Sequence, residues 1–391
     1  MKNHFSIKPL PHIHFGTGSI KNLVKVAKGY GKKTLLLTGA NSFVSSEHWQ
    51  HLKKQFADHA IDYSLEHVHS EPSPAVIDKI VSRYIDASID CVTAIGGGAV
   101  LDAGKAVSAM LVTGESVKLF LEGVGAKTPD GRKIPFIAIP TTSGTGSETT
   151  SNAVITEIGE NGFKKSLRHD NYIPDIAIID PELTLACPPG VTISCSLDAF
   201  SQLVESYLST KSSFYSEDLA YGAIRRIAPS LIPVCHQEGT LDDRSSMSYG
   251  AMISGITLSN AGLGVIHGLA STIGGRYNIP HGVVCGSLMA TANELTLRKL
   301  RKSGCDSTAL KKYSRLGRLF STYKGKSQDY YQDSFIEFLH MITVELKVPL
   351  LSEYGLKGND ICDIAKMSGC KNNPVQLDQE EMESLLQQRI A

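Results

Sequence analysis

The sequence lacks both an excess of one charge and a long apolar run. Its 391 residues include 39 Lys and Arg against 39 Asp and Glu, a formal net charge of zero. Balanced charge gives no attraction to nucleic acid or to an anionic membrane surface. No apolar run reaches the roughly 20 residues that cross a bilayer. We therefore expect a globular protein with a small-molecule partner, no nucleic acid and no membrane.

Closely spaced cysteine pairs are also missing. The eight cysteines are scattered, and none forms a CxxC pair. This pattern is typical of reduced, mostly structural thiols. The opening segment, MKNHFSIKPLPHIHFGTGSI, has no apolar core followed by a small-residue cleavage site, which argues against a secretory signal. We therefore expect a cytoplasmic protein.

The two halves of the chain differ in their periodicity. In the first half, short β-rich runs alternate with helical patterns, which is typical of βαβ units and a parallel sheet. The predicted strands cover residues 32–39, 90–98, 133–140 and 174–183. After about residue 190 helical periodicity dominates. The sequence predicts an α/β dinucleotide-binding domain over residues 1–187 and an all-helical domain over 188–391, with a ligand cleft between them.

Two glycine-containing segments predict a dinucleotide site. GGGAVLDAGK (96–105) follows a strand and opens a helix, where glycine backbone and free N–H groups favour a phosphate. TTSGTGS (141–147) follows the next strand and holds five hydroxyl residues, at the sheet edge where open α/β folds bind ligands. The alternatives are a tight strand-to-helix turn and a merely polar loop, and the second segment favours the nucleotide site.

The end of the first predicted strand bears on the choice of cofactor. NAD-binding sheets often hold the ribose 2′-hydroxyl with a carboxylate near the end of an early strand. In TLLLTGANS that position is Gly39, followed by Ala40, Asn41 and Ser42. Because no carboxylate would repel a 2′-phosphate there, NADP is the working hypothesis, with Gly39 and Ser42 as candidate cofactor-binding residues.

A second group of residues has metal-binding chemistry. SLDAFSQLVESY (196–207) places Asp198 and Gln202 one helical turn apart, and His267 and His281 are each followed by glycine. Two oxygens and two imidazole nitrogens suit iron or zinc. The alternatives are core histidines and a buried carboxylate–amide hydrogen bond, since the 14-residue gap between the histidines is not a compact metal motif.

The chain resembles the iron-containing, metal-dependent alcohol dehydrogenases over nearly its whole length. The resemblance rests on ordered motifs, GGGAVLDAGK, PTTSGTGSE, PDIAIIDPELT, SLDAFSQLVESY, HGLAS, NIPHGVV and a late NNP. It implies an α/β dinucleotide-binding domain and a helical metal-binding domain, an architecture shared with dehydroquinate synthases. It also implies NAD or NADP, a divalent metal such as iron or zinc, and a homodimer.

The resemblance implies roles for individual residues. At the cofactor it implies Gly96, Gly97, Gly98 and Asp102 by the pyrophosphate, Thr141, Thr142 and Ser147 in the nucleotide pocket, and Lys165 nearby. For the metal it implies Asp198, His267 and His281 as three of the four ligands, with Gln202 at the fourth position. The candidate catalytic residues are Asp198, His267 and Ser271.

Two positions depart from the family pattern. Gln202 stands where the family usually has a histidine ligand, and Ser271 stands where an HGxxH pattern has its second histidine. A neutral amide is a weaker donor than imidazole, so metal affinity should fall and preference should shift toward harder ions. Ser271 could replace a histidine proton relay only through its hydroxyl or a bound water.

The favoured function is reversible hydride transfer between the nicotinamide and a small alcohol or aldehyde, with a metal polarising the substrate oxygen. One alternative is a metal-independent reductase of an oxo-acid or another activated carbonyl. A second is a lyase like the dehydroquinate synthases, although residues 260–282 offer only Arg276 as a cation for a phosphorylated substrate. A third is a nucleotide-binding protein without catalysis.

Overall fold

A computed structural model describes residues 4–160, 162–303 and 308–390 of the chain. These form two compact units. The first comprises Ile7–Glu157 and Lys164–Val191. The second begins at Thr192 and also takes in short segments around Ser6 and Ile158. The division falls a few residues after the predicted boundary between residues 187 and 188.

A six-stranded sheet forms the core of the first unit. The strands in the described residues are β1 (His12–Phe15), β2 (Lys33–Gly39), β3 (Asp62–Val68), β4 (Cys91–Gly96), β5 (Phe136–Pro140), β6 (Asn152–Glu157), β7 (Phe163–Arg168) and β8 (Ile176–Ile179). The sheet order is β1-β8-β5-β4-β2-β3, and β6 pairs with β7 separately. All neighbours in the large sheet are parallel, which confirms the predicted fold class.

The central strands owe their place to apolar side chains on both faces. Every residue of β4 and β5 is buried, because helices cover both faces of a parallel sheet. The helices of this unit are α1 (Leu23–Tyr30), α2 (Glu47–Asp58), α3 (Pro74–Tyr84) and α4 (Gly98–Thr113). The predicted strands at 32–39, 90–98, 133–140 and 174–183 correspond to β2, β4, β5 and β8, whereas β3, β6 and β7 were not predicted.

The second unit is built from helices. They begin with α5 (Pro189–Leu208), which crosses the division at Thr192, and continue with α6 (Phe214–Ile227), α7 (Leu231–Cys235), α8 (Leu241–Ala261), α9 (Val265–Arg276), α10 (His281–Lys302), α11 (Thr308–Phe320), α12 (Gln328–Glu345), α13 (Ile361–Met367) and α14 (Gln379–Gln387). Within the described ranges no single helix is long and apolar enough to span a membrane. Helices α8 and α9 meet these criteria only when they are taken together, and the chain bends by 99° between them.

Gly104 sets the distance between α4 and the sheet. A Cβ at this position would lie 2.7 Å from Ala94 Cβ and 2.7 Å from the Phe136 ring. Such separations are below van der Waals contact, so a larger residue would push the helix away from β4 and β5. Because α4 starts directly after β4, this contact also positions the glycine turn that joins them.

We expect Gly104→Ala to destabilise the protein by about 1–3 kcal/mol through overpacking. The matched control is Gly222→Ala in α6, where a Cβ has no neighbour within 4 Å and alanine should stabilise the helix by up to about 1 kcal/mol. Thermal unfolding followed by circular dichroism compares the two. Equal midpoints would contradict the close contact at Gly104.

Candidate functional site

The glycine turn between β4 and α4 has the backbone of an anion site. Gly97 precedes α4 without a side-chain hydrogen bond to cap the helix. The first N–H groups of a helix have no intrahelical partner, and the helix dipole favours negative charge there. Gly97 and Gly98 therefore present backbone donors suited to a phosphate, whereas Gly96, which was also predicted at the pyrophosphate, is the last residue of β4 and pairs with Pro140 of β5.

The hydroxyl loop after β5 lies directly against this turn. Thr141 N donates a hydrogen bond to Gly96 O at 3.0 Å. A Cβ on Gly97 would be 3.4 Å from Thr142 Oγ1, and one on Gly98 would be 2.7 Å from Thr145 Oγ1. The structure thus brings the two segments together, with Thr141 and Thr142 beside the glycines and Thr145 as a neighbour that sequence reasoning missed.

Asp102 and Ser147 hold the loop in place. Ser147 Oγ donates to Asp102 Oδ1, and Val154 N donates to Asp102 Oδ2 at 3.0 Å. Both carboxylate oxygens are thus bonded to the loop or to the strand after it. In this structure Asp102 orders the loop, and the predicted contact with the pyrophosphate stays a prediction.

Lys105 is a buried cation that the sequence reasoning missed. Its Nζ donates to Ser147 O at 2.9 Å, Thr150 Oγ1 at 3.1 Å and Asn152 O at 2.7 Å. Burial lowers the pKa of Lys105 to about 8 and raises the pKa of nearby Glu148 to about 7. The sequence contained a clue to this contact, because a lysine three residues after Asp102 in an otherwise apolar helix lies on the same helix face as Asp102.

The other predicted cofactor residues lie at different places. The register of β2 against β4 pairs Thr38 with Ile95, so Gly39 is level with the start of the glycine turn. Ser42 is exposed beyond the end of β2. Lys165 is exposed on β7, and its Nζ is 3.9 Å from the Cβ position of Gly123.

The second unit holds a cluster of four potential metal ligands. Ligand atoms of Asp198, His267, His281 and Cys285 all lie within 4.8 Å of one another. Asp198 and Cys285 are buried on α5 and α10, and His267 is buried on α9. The structure thereby brings together the three distant residues Asp198, His267 and His281, and their role as metal ligands stays a prediction.

A buried carboxylate fixes the orientation of His267. Glu205 Oε2 is 2.6 Å from His267 Nδ1, and Glu205 Oε1 accepts from Ile266 N at 2.7 Å. A carboxylate only accepts, so Nδ1 carries the proton and a neutral ring turns its Nε2 lone pair toward the cluster. This carboxylate–histidine arrangement is the usual support of a metal-binding imidazole.

The electrostatics of the cluster call for a positive charge. Burial lowers the pKa of His267, but Cys285, Glu205 and Asp198 outweigh it and raise that pKa well above its ordinary value. Burial opposes ionisation of Asp198, yet His281 and His267 lower its pKa overall. In the neutral tautomer, His267 Nε2 and Asp198 Oδ1 are two acceptors facing each other at 3.3 Å. A divalent cation between them fits this donor set.

Gln202 and Ser271 have other partners. Ser254 Oγ donates to Gln202 Oε1 at 2.7 Å, so the amide oxygen predicted to bind metal accepts a hydrogen bond from α8. Ser271 Oγ donates to His267 O at 2.7 Å. Cys285 was missed by sequence reasoning, although its position one turn after His281 was a usable signal.

Comparisons with known proteins agree on one family. Residues 11–181 match the family model "Iron-containing alcohol dehydrogenase", and residues 192–390 match "Fe-containing alcohol dehydrogenase family, C-terminal". Long-chain-alcohol dehydrogenase 1 of Geobacillus thermodenitrificans is 34% identical over 276 residues, 70% of this chain and 68% of the relative. NADPH-dependent butanol dehydrogenase of Clostridium saccharobutylicum is 29% identical over 96% of this chain and 95% of the relative.

A solved structure supports the same relationship. The alcohol dehydrogenase from Oenococcus oeni superposes with a TM-score of 0.87 at 27% sequence identity. The match covers 99% of this chain and 100% of that protein. The fold is therefore shared along the whole length.

Replacing Glu205 by glutamine should weaken binding of a divalent metal by about 10–100-fold, because the amide no longer fixes the His267 tautomer as a carboxylate does. The measurement is competition with a chelating dye. Glu337→Gln, which changes an exposed carboxylate on α12, is the control and should bind metal like the wild type. Unchanged affinity in Glu205→Gln would contradict the supporting role of Glu205.

Proposed function

We propose, from the premise that this chain belongs to the iron-containing alcohol dehydrogenase family, that it transfers a hydride reversibly between NADP(H) and a small primary alcohol or aldehyde. It is an NAD(P)-dependent alcohol dehydrogenase. The observation that carries the proposal is the convergence of Asp198, His267, His281 and Cys285. A metal-independent reductase would have no use for four such donors supported by a buried glutamate.

Each unit contributes its own residues to this reaction. When bound, the nicotinamide exchanges the hydride and the divalent metal polarises the substrate oxygen. Gly97 and Gly98 offer backbone N–H groups to the phosphates, while Asp102 and Lys105 hold the adjoining loop. In the second unit Glu205 keeps His267 in the tautomer that directs Nε2 into the cluster.

Ser271 does not donate a proton to substrate in this conformation. Its hydroxyl proton is engaged with His267 O, so only its oxygen lone pairs are available. Lys371 Nζ lies 3.5 Å from that oxygen and also donates to His267 O at 2.9 Å. A proton relay at this point therefore needs Lys371 or water beside Ser271.

The preference for NADP rests on the end of β2. Gly39 lies level with the glycine turn, and the three residues that follow it carry no carboxylate. Relatives named for either cofactor exist, an NADPH-dependent butanol dehydrogenase and an NAD-dependent methanol dehydrogenase of Bacillus methanolicus. The neutral strand end is what favours NADP, since it leaves room for a 2′-phosphate without repulsion.

Assembly and location complete the proposal. We propose a homodimer that pairs through β1, because this strand is at the edge of the six-stranded sheet and edge strands are the ones that pair with another chain. A cytoplasmic location is supported by the absence of disulfide bonds among the described cysteines; Cys305 lies outside the described residues.

Gly39→Asp should lower kcat/KM for NADPH at least tenfold, about 1.4 kcal/mol, because the carboxylate would repel the 2′-phosphate. The value for NADH should stay or rise, since the carboxylate can bind a 2′-hydroxyl. Gly29→Asp in α1 adds the same charge where a Cβ has no neighbour within 4 Å, and should change neither value. Equal losses with both cofactors in Gly39→Asp, or a wild-type preference for NADH, would refute the NADP assignment.

Removal of the metal tests the function itself. Dialysis against a chelator should abolish oxidation of primary alcohols and reduction of their aldehydes, and a divalent ion should restore both, because the substrate oxygen needs a Lewis acid. Rates are followed by nicotinamide absorbance over a panel of alcohols, aldehydes and oxo-acids. A chelated enzyme that keeps its rate on an oxo-acid would establish the metal-independent reductase instead.

A further inference from the structure

We propose that Cys285 is the fourth protein ligand of the metal, in place of Gln202, and that the resulting set of carboxylate, two imidazoles and thiolate selects zinc over iron. This inference rests on the proposed metal-dependent function and deepens it by naming a ligand and an ion.

Four of the six separations between the donor atoms are closer to those around a tetrahedral ion than to those around an octahedral one. His267 Nε2 lies 3.3 Å from Asp198 Oδ1 and 3.6 Å from Cys285 Sγ. His281 Nε2 lies 3.8 Å from each of the same two atoms. Zinc bonds of about 2.0–2.3 Å at the tetrahedral angle separate ligand atoms by about 3.3–3.6 Å. Adjacent ligands of an octahedral ion with bonds of about 2.1 Å would be only about 3.0 Å apart.

Close helix packing puts the thiol in this position. Cys285 lies one turn after His281 on α10, so both side chains share a face. Each is followed by a glycine: a Cβ on Gly282 would be 2.0 Å from Ser194 O, and one on Gly286 would be 2.7 Å from Leu197 Cδ1. Only glycines allow α10 to approach α5 this closely. The approach brings the face that carries His281 and Cys285 against Asp198.

Gln202 is used elsewhere. Its Oε1 accepts a hydrogen bond from Ser254 Oγ at 2.7 Å, and both residues are buried. The amide nitrogen has no lone pair to offer a metal. Ser254 Oγ has a second acceptor, Ala251 O at 2.8 Å, for its single proton. The Gln202–Ser254 pair serves as a buried contact between α5 and α8, and in the proposed site the thiol of Cys285 supplies the fourth donor.

The chemistry of the donors favours zinc. A thiolate and a carboxylate together balance the two positive charges of the ion. Thiolate ligands select softer ions such as zinc, and tetrahedral sets that mix sulfur and nitrogen are characteristic of zinc. Some zinc sites expand to five ligands, and such an expansion would admit a substrate oxygen beside four protein donors.

Cobalt substitution gives a direct readout of the sulfur ligand. The metal-free full-length protein is loaded with Co²⁺, and its near-ultraviolet spectrum is recorded for thiolate-to-cobalt charge transfer. We expect the band in the wild type and in Gln202→Ala, and its loss in Cys285→Ser. Cys362→Ser, which changes an exposed cysteine, should keep it. Absence of the band in cobalt-loaded wild type, or its survival in Cys285→Ser, would overturn the assignment of Cys285.

Competition between metals tests the choice of ion. Anaerobic protein offered equal Zn²⁺ and Fe²⁺ should retain about one equivalent of zinc and little iron, measured by elemental mass spectrometry. Cys285→Ser should lose at least tenfold in zinc affinity, whereas Gln202→Ala should stay within about threefold of the wild type. Iron retained in preference to zinc would overturn the selectivity while leaving the dehydrogenase function intact. No metal bound at all would overturn both.

Discussion

The candidate metal centre depends on a carboxylate buried inside a helix layer. Asp198 is 2% exposed on α5, and an isolated ionised carboxylate at that depth is very costly. Two imidazoles and a thiol converge on it, and a second buried carboxylate on the same helix, Glu205, is bonded to one of those imidazoles. The acidic groups, two carboxylates and a thiol, outnumber the two imidazoles, so a bound cation would compensate the negative charge of the cluster.

Glycine makes that convergence geometrically possible. A Cβ on Gly268 in α9 would lie 1.9 Å from Gly369 O, and one on Gly282 in α10 would lie 2.0 Å from Ser194 O. Each of these glycines directly follows a histidine of the cluster. The same device operates in the first unit, where Gly104 lets α4 pack on the sheet. In both units, close backbone contact positions the groups that carry the chemistry.

The predictability of the fold follows from burial. Strands β4 and β5 were predicted because residues buried on both faces form continuous apolar runs. Strand β3 was missed because it lies at the sheet edge, where most of its residues are exposed or half-buried. Its sequence therefore has no apolar run. Strand β7 was missed for a similar reason, since FKKSLR is mostly polar. Glycine and hydroxyl motifs were found because their chemistry is local in the chain.

The sequence by itself determined the two-part architecture and the glycine turn with its hydroxyl loop, and it named Asp198, His267 and His281 as candidate metal ligands. Only the tertiary structure decided the fourth member. Asp198 with Gln202 and His281 with Cys285 are both pairs spaced four residues apart, so each pair shares a helix face. Spacing shows which residues share a face but not what that face contacts. Packing of α10 against α5 places Cys285 in the cluster, and packing of α8 against α5 places Ser254 within hydrogen-bonding distance of Gln202.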